Sequence, residues 1–293
     1  MTLDVLKVSA ICSWLLSNYL SNFSSERTVF GGQSKKSVYR TYDTLITPSG
    51  WAFSLWIVIF VGEALGLLYM CTENSPLSTV LLSFIYACFY QTLWCAAFTR
   101  GYMLVSALVL SLHVYSMYLC CNELALSAVA HSGAGQGNGG ASAVEKQALH
   151  TYHSTLLFIC ALSHSHSLLS LPAPLLNLPT SHSPPPPVAL LAVPFRLHWA
   201  WATTTALINW NMALVSFEQR SQGLDIFAAW GSVWLLAGVG SYRALFLCDG
   251  VFPAVLAWTF AWMSNKIQHE PPVGVKGDGA LLDSLETTFD VLR

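Results

Sequence analysis

The stretch ITPSGWAFSLWIVIF, residues 46–60, places a Thr-Pro-Ser-Gly turn directly before Trp51, Phe53 and Trp56 and an unbroken apolar run. A proline and a glycine this close together are typical of a turn, so the stretch predicts a helix that begins here and continues as a membrane span. Its aromatic residues allow two interpretations. They either anchor the helix at the membrane interface, where tryptophan gathers, or line a site inside a helical bundle.

The composition of the chain predicts a membrane protein. Of its 293 residues, 54% are hydrophobic and 10% are charged, whereas soluble domains carry about 25% charged residues. A membrane-crossing helix needs about 20 mostly apolar residues, and seven segments approach that length. They are Val5–Phe23, Trp51–Tyr69, Leu77–Phe98, Met103–Cys121, Phe195–Phe217, Ile226–Tyr242 and Val251–Asn265. The third and fifth are the strongest candidates, because 77–98 and 197–217 contain no charged residue. The predicted fold is an all-α integral membrane protein, a bundle of about seven transmembrane helices.

A change of composition divides the chain after the fourth span. Residues 127–190 are rich in Ser, Gly, His and Pro, which predicts a disordered low-complexity loop; an eighth apolar segment or an error in the assembled coding sequence stays an alternative. The predicted division is transmembrane helices 1–4 in 1–126, this loop, helices 5–7 in 191–265 and a C-terminal tail in 266–293. The loop histidines His150, His153, His164 and His166 lie among serines in low-complexity surroundings, whereas a metal site needs ligands held in a fixed geometry, so no metal site is predicted.

The distribution of basic residues predicts an orientation. In the seven-span scheme nine of the thirteen Lys and Arg residues lie in loops on one side, and the remaining four lie on the other. Basic residues concentrate on the side that is not translocated, so the carboxyl terminus is expected in the cytosol. The first span lacks a clear small-residue cleavage site, which favours a retained helix over a secretory signal. The chain is expected to be a multi-pass integral membrane protein, and its sequence names no organelle.

The second span carries one acid among aromatic residues. At 100 degrees per residue, Phe53, Trp56, Phe60, Glu63 and Leu67 share a stripe about 80 degrees wide, and Trp51 points the opposite way. A carboxylate in the middle of a membrane costs about 2.5 to 3.5 kcal/mol on insertion scales. Glu63 is therefore expected to face the bundle interior or water and to have a partner. It is either a polar group in a ligand cavity or one end of a structural hydrogen bond between helices.

Two further spans repeat this arrangement of aromatic residues with one amide. Gln91, Trp94 and Phe98 share a stripe on the third span, and on the fifth the stripe contains His198, Trp201, Thr205, Asn209 and Met212. Flat aromatic groups with a few orienting polar groups are typical of a pocket for an apolar ligand. Packing between helices and interfacial anchoring explain the same pattern.

Three of these segments resemble the tryptophan-rich sensory proteins, the TspO and translocator protein (peripheral benzodiazepine receptor) family, in its longer microbial and algal branch. In residues 46–60, Pro48, Gly50, Phe53, Ser54 and Trp56 match the second-helix signature. In YQTLWCAAF, Trp94 and Phe98 match and Gln91 replaces an Asn. The matching positions of VPFRLHWAWATTTALIN are Val193, Pro194, Phe195, Trp201 and Asn209. The similarity covers residues 1 to about 125 and 190–265.

The resemblance implies a five-helix core that encloses a planar hydrophobic ligand, a tetrapyrrole such as a porphyrin, or a sterol. The ligand-binding residues that it implies are Trp51, Phe53, Trp56, Trp94, Phe98, Trp201 and Asn209. Glu63 and Gln91 are added as candidate ligand-binding residues because they lie on the same helix faces. A receptor or carrier role follows, with no covalent cofactor beyond a possible tetrapyrrole ligand. Compact members carry tryptophans in the loop between the first two helices, which are linked to porphyrin breakdown. The corresponding residues 24–49 contain none, so enzymatic activity is not expected.

No other catalytic chemistry is predicted, since the sequence lacks G-x-S-x-G, H-E-x-x-H and phosphate-binding glycine motifs. Glu63 stands nearly alone as an intramembrane ionisable group, and Asp249 and Glu270 are expected to be solvated near span ends. No catalytic residue and no metal ligand is therefore predicted. The expected partners are the lipid bilayer, a small hydrophobic ligand and possible homodimer formation, without nucleic acid. A secondary transporter, or a structural membrane protein without a tetrapyrrole ligand, is the alternative.

Overall fold

A computed structural model describes residues 3–23, 30–72, 77–133, 186–217, 222–247 and 249–269, and the regular secondary structure within these ranges is helical. A short 3₁₀ helix, Gly50–Ser54, precedes the third of the α-helices. The α-helices are α1 (Leu3–Phe23), α2 (Lys35–Thr41), α3 (Leu55–Thr72), α4 (Ser78–Thr99), α5 (Met103–Gly133), α6 (Pro186–Val215), α7 (Gln222–Leu247) and α8 (Val251–His269). Most of the predicted low-complexity loop and nearly all of the tail lie outside the described residues.

Four helical stretches within the described ranges are long and apolar enough to cross a membrane. They are Gly50–Cys71, Ser78–Thr99, Met103–Ser127 and Gly223–Leu247. The first of these begins in the 3₁₀ helix of the TPSG turn, as its proline and glycine predicted. The prediction of an all-α helical membrane bundle is confirmed. For α1, α6 and α8 a full crossing stays a prediction.

The helix α6 differs from its sequence expectation. It was predicted to be one of the two strongest spans, but it is not among the four stretches apolar enough to cross by length and composition. Residues 197–217 carry no charge, but they include polar residues that lower the mean hydropathy of the helix, among them His198, Asn209 and Asn211. In the fold α6 packs against α3, α5, α7 and α8. A helix in such a central position is shielded by its neighbours and does not need an apolar surface on every side.

The outer surface of α3 is apolar. Ile57, Val61, Leu65 and Leu68 follow a helical spacing and are all more than half exposed. Such a row is typical of a surface that faces lipid rather than water. The opposite side of α3 carries Glu63 and Leu67, which are buried, so the helix separates a lipid face from a core face as its periodicity predicted.

A glycine allows α3 and α6 to approach closely. A Cβ atom added to Gly62 would lie 2.6 Å from Cβ of Pro194, a ring atom that cannot move aside. Only glycine fits at this crossing, because the backbone of α3 lies directly against the proline of α6. The close approach brings Glu63, the next residue, within reach of α6.

The end of the bundle at α7 and α8 corrects one sequence expectation. Asp249 was expected to be solvated, but it is only 3% exposed and pairs with Arg243, whose Nη2 lies 2.6 Å from Oδ2. The Arg243 guanidinium also lies 4.5 Å from the ring centre of Trp199 on α6. A carboxylate can be buried here because its charge is paired and hydrogen-bonded. Glu270, the other acid expected to be solvated, lies outside the described residues.

Candidate functional site

Aromatic side chains from five elements, namely α2, the 3₁₀ helix, α3, α4 and α6, meet in one continuous series of ring contacts, which we call the ring cluster. Trp56 stacks on Phe60 at 4.9 Å between ring centres, and Trp201 lies edge-on to Trp56 at 6.3 Å and to Phe53 at 5.7 Å. These distances and tilts are those that aromatic pairs prefer. The ring cluster consists of Tyr39, Phe53, Trp56, Phe60, Trp94, Phe98 and Trp201. The aromatic stripes of the second, third and fifth spans thus meet one another.

The short helix α2 covers one side of the ring cluster. Tyr39 contacts Phe53 at 5.2 Å and Phe98 at 5.0 Å between ring centres. Nζ of Lys35, one turn earlier in α2, lies 5.4 Å from the ring centre of Trp94. Burial lowers the pKa of Lys35 and raises that of Tyr39, because both charged forms lose hydration. The loop between the first two spans therefore contributes a phenol and an ammonium group to the site.

Two tryptophans of the predicted site have contrasting positions. Trp201 is fully buried, and its Nε1 has no hydrogen-bond partner among the described residues. A buried N–H without a partner is costly, so this N–H is a candidate donor to an acceptor that the described residues do not supply. Trp51 is 72% exposed and lies outside the ring cluster, in keeping with its opposite phase on the helix. Its surroundings are those of an interfacial residue.

The amide of Asn209 connects three helices in an arrangement that we call the amide node. Oδ1 of Asn209 accepts hydrogen bonds from Trp94 Nε1 at 3.1 Å and from Ser106 Oγ at 2.7 Å. Nδ2 donates to the carbonyl oxygen of Thr205 at 3.0 Å. Both acceptor positions of the amide oxygen are thus occupied by α4 and α5, which leaves one N–H of Nδ2 for any ligand. Gln91, the amide predicted on the third span, is buried on α4.

Glu63 lies at the start of a second buried polar system, which we call the polar chain. Its Oε1 contacts His198 Nδ1, and its Oε2 accepts a hydrogen bond from Trp14 Nε1 at 3.2 Å. His198 Nε2 lies 3.0 Å from His113 Nε2, and His113 Nδ1 lies 2.9 Å from the carbonyl oxygen of Ala87. Glu63, His113 and His198 are each at most 2% exposed. The predicted partner of Glu63 therefore exists, and Trp56 connects the two systems, since its ring meets that of His198 edge-on at 5.2 Å.

Several of these residues were not predicted from the sequence. Glu63 was described as nearly alone among intramembrane ionisable groups, which is wrong, because two histidines lie in line with it. His113 was not singled out, although a lone histidine in an apolar span is itself a signal of a functional group. Tyr39 was not predicted, because the family resemblance points to tryptophan rather than tyrosine in this loop. Trp14 and Ser106 gave no signal, since a single tryptophan or serine in a helix is ordinary.

The geometry of the polar chain does not suit a metal ion. His198 uses one ring nitrogen toward Glu63 and the other toward His113, so the three groups lie in a line rather than around a common point. Within the described ranges, no group of three or more His, Cys, Asp or Glu side chains could hold a metal. The arrangement is suited instead to holding protons in hydrogen bonds, beside a set of rings that can contact a flat ligand.

Comparison with protein-family models gives one match that spans nearly the whole chain. The matching family is described as TSPO-like protein, and the match covers residues 4–276. Comparisons with curated proteins and with solved structures give no significant match. The match includes α1 to α8, and so covers both the ring cluster and the polar chain.

Proposed function

The chain belongs to the TSPO-like protein family, and we propose that it is a multi-pass membrane receptor or carrier that binds a planar hydrophobic ligand at the ring cluster. The observation that carries this proposal is a series of seven aromatic side chains joined by ring contacts, together with a buried indole N–H on Trp201 that has no partner among the described residues. A flat apolar molecule would complement the rings, and an acceptor atom on it would satisfy the N–H.

The ring geometry favours a tetrapyrrole over a sterol. Edge-on and stacked contacts around Trp56 and Trp201 present faces and edges that an aromatic macrocycle can stack against. A sterol has no π system and would gain only apolar contact. A porphyrin also carries carboxylates, and Lys35 lies beside the ring cluster as a cation. Because burial lowers the pKa of Lys35, a carboxylate nearby would stabilise its charged form.

A binding role without catalysis fits the proposed site. We propose that the expected ligand-binding residues contact the ligand, except for Asn209 and Trp51, whose surroundings indicate other roles. Asn209 would contribute mainly to the shape of the site, because its oxygen is occupied by α4 and α5. Trp51 would lie at the membrane interface rather than on the ligand. We propose no covalent cofactor and place the carboxyl terminus in the cytosol.

The test is a titration of the purified protein in detergent with protoporphyrin IX, followed by quenching of tryptophan fluorescence. Trp56→Leu removes a central ring and is expected to weaken binding about tenfold, since an aromatic pair contributes about 0.5 to 1.5 kcal/mol. Trp201→Phe keeps the ring and removes the N–H, so a loss of about fivefold is expected for one hydrogen bond of about 1 kcal/mol.

The matched control is Trp234→Leu, because Trp234 lies on α7, outside the ring cluster, and is 59% exposed. This substitution should leave the affinity unchanged. Cholesterol added as a competitor separates the two ligand classes: displacement of the porphyrin would favour a common apolar site. Absence of saturable quenching at micromolar porphyrin would overturn the tetrapyrrole proposal, and equal affinities in all variants would overturn its location.

A further inference from the structure

The polar chain draws one group from each of five helices. Its members are Trp14 of α1, Glu63 of α3, His198 of α6, His113 of α5 and the carbonyl oxygen of Ala87 of α4. Glu63, His198 and His113 are buried in an apolar bundle where water cannot complete their hydrogen bonds. The number of protons in the polar chain must therefore match the number of hydrogen bonds that it makes.

That number follows from the chemistry of the atoms in contact. A carbonyl oxygen only accepts, so His113 Nδ1 must carry a proton to donate to Ala87. The contact between the two Nε2 atoms needs one proton, on His113 or on His198, because two lone pairs facing each other would repel. The contact of Glu63 with His198 Nδ1 needs one more. Glu63 and the two imidazoles together therefore hold three protons and have no net charge.

Three arrangements of these protons satisfy all the hydrogen bonds. In one, Glu63 is a carboxylic acid and both histidines are neutral. In the other two, Glu63 is ionised and the extra proton lies on His198 or on His113. The arrangements differ only in the positions of two protons within existing hydrogen bonds. A proton can therefore be relocated between α3 and α5 without breaking the polar chain.

We propose that Glu63, His198 and His113 form an intramembrane proton-binding site that takes up one proton when the bundle folds and shares it among three helices. In water at neutral pH, a carboxylate and two neutral imidazoles hold two protons, one fewer than the polar chain requires. The ligand of this site is the proton itself. The proposal does not depend on tetrapyrrole binding, since its argument uses only the hydrogen-bond geometry.

The other titratable groups around the site do not supply this proton. From α4 and α5, the thiols of Cys88 and Cys120 lie within electrostatic reach of Glu63, and Cys121 lies within reach of both Glu63 and Arg196 of α6. Lys7 of α1 binds the carbonyl oxygen of Cys71 at the far end of α3. Glu63 is the only Asp, Glu, Lys or Arg on α3, and α4 has none.

The proposal gives a signed dependence of stability on pH. Above about pH 6.5 the denatured chain holds fewer than three protons on these groups, so the folded state binds more and stability falls as pH rises. The equilibrium constant for unfolding should increase by up to tenfold per pH unit. Below about pH 6.5 the denatured histidines bind more protons than the polar chain does, and stability falls again toward acid. The contribution of the site is therefore largest near pH 6.5.

The first experiment measures unfolding in mixed micelles of detergent and SDS between about pH 6 and pH 7.5, below the range in which the thiols of the denatured chain lose their protons, followed by circular dichroism. Glu63→Gln can accept from Trp14 through its oxygen and donate to His198 through its nitrogen, which satisfies the polar chain without the extra proton. This variant should fold and should lose the alkaline slope of the parent. Glu123→Gln, the same change on α5 at a carboxylate outside the polar chain, should keep the alkaline slope. Equal slopes in the parent and Glu63→Gln would overturn the proposal.

A second measurement detects the shared proton directly. In protein labelled with ¹⁵N-histidine, a proton between the two Nε2 atoms gives a scalar coupling between these nitrogens across the hydrogen bond. The coupling should be present in the parent near pH 6.5 and absent in His113→Gln, which serves to assign it. Independent imidazoles without this coupling in the folded parent would contradict a shared proton, whatever the unfolding data show.

Discussion

The amide node and the polar chain are both buried polar systems that connect helices of one bundle, yet they satisfy their hydrogen bonds in different ways. The amide node uses groups that do not titrate near neutral pH, namely the Asn209 amide, a serine hydroxyl and an indole N–H. The polar chain uses a carboxylate and two imidazoles. Polar groups with similar burial can therefore either stabilise the helix packing equally at every pH or make its stability depend on a bound proton.

The largest expected effect comes from removing the carboxyl group of the polar chain. Glu63→Leu leaves Trp14 Nε1 and His198 Nδ1 without their hydrogen-bond partner in an apolar interior. Removal of one partner from a buried ion pair costs about 3 to 5 kcal/mol, and two buried groups lose their partner here. We expect the free energy of unfolding near pH 6.5 to fall by about this amount, while Glu63→Gln falls far less. Similar losses in the two variants would show that Glu63 contributes by volume rather than by hydrogen bonding.

The amide node should give a smaller loss that is independent of pH. Asn209→Leu removes the acceptor of Trp94 Nε1 and Ser106 Oγ, and a buried donor without a partner costs about 1 to 3 kcal/mol. We expect a loss of about 2 kcal/mol, equal at pH 6 and pH 8, in the same mixed-micelle unfolding assay. A loss that grew with pH would mean that the two polar systems are coupled.

A larger residue at the close crossing of α3 and α6, next to Glu63 of the polar chain, should force the two helices apart. In Gly62→Ala the new methyl group would meet Pro194 at 2.6 Å, and such overpacking costs about 1 to 3 kcal/mol. The matched control is Gly231→Ala, since nothing lies within 4 Å of a Cβ atom there and alanine favours a helix by about 1 kcal/mol. We expect Gly62→Ala to lower and Gly231→Ala to keep or raise the unfolding midpoint; identical midpoints would contradict the close crossing.

The smallest expected effect is at Lys35, and its sign opposes that of the polar chain. Burial lowers the folded-state pKa of Lys35, so between that pKa and the ordinary lysine value the denatured state binds more protons and stability rises with pH. The side chain also donates to the carbonyl oxygen of Ser21, which reduces the net effect to a fraction of the others. Lys35→Met should flatten this rise, measured below about pH 10, where Tyr39 would begin to titrate in the denatured state. An unchanged pH profile would count against burial of the ammonium group.

The sequence predicted which side of each helix faces inward better than it predicted which helices contact one another. Trp56 and Glu63 lie on the core side of α3, and in the 3₁₀ helix before it Phe53 packs against the core while Trp51 is exposed, because the rotation per residue is a property of the helix alone. The periodicity of one helix carries no information on which neighbour meets that face. For this reason the connection of Glu63 to His198 and His113 was missed, although all three residues are visible in the sequence.

The amino-acid sequence by itself determined that the chain forms an apolar helical bundle, where the TPSG turn begins a helix, and which sides of the helices face inward. These features depend on local composition and on helical geometry. Only the tertiary structure decided that the aromatic stripes join into one ring cluster and that an acid and two histidines far apart in sequence form one line. Those contacts depend on the order and the approach of packed helices, including the close crossing at Gly62.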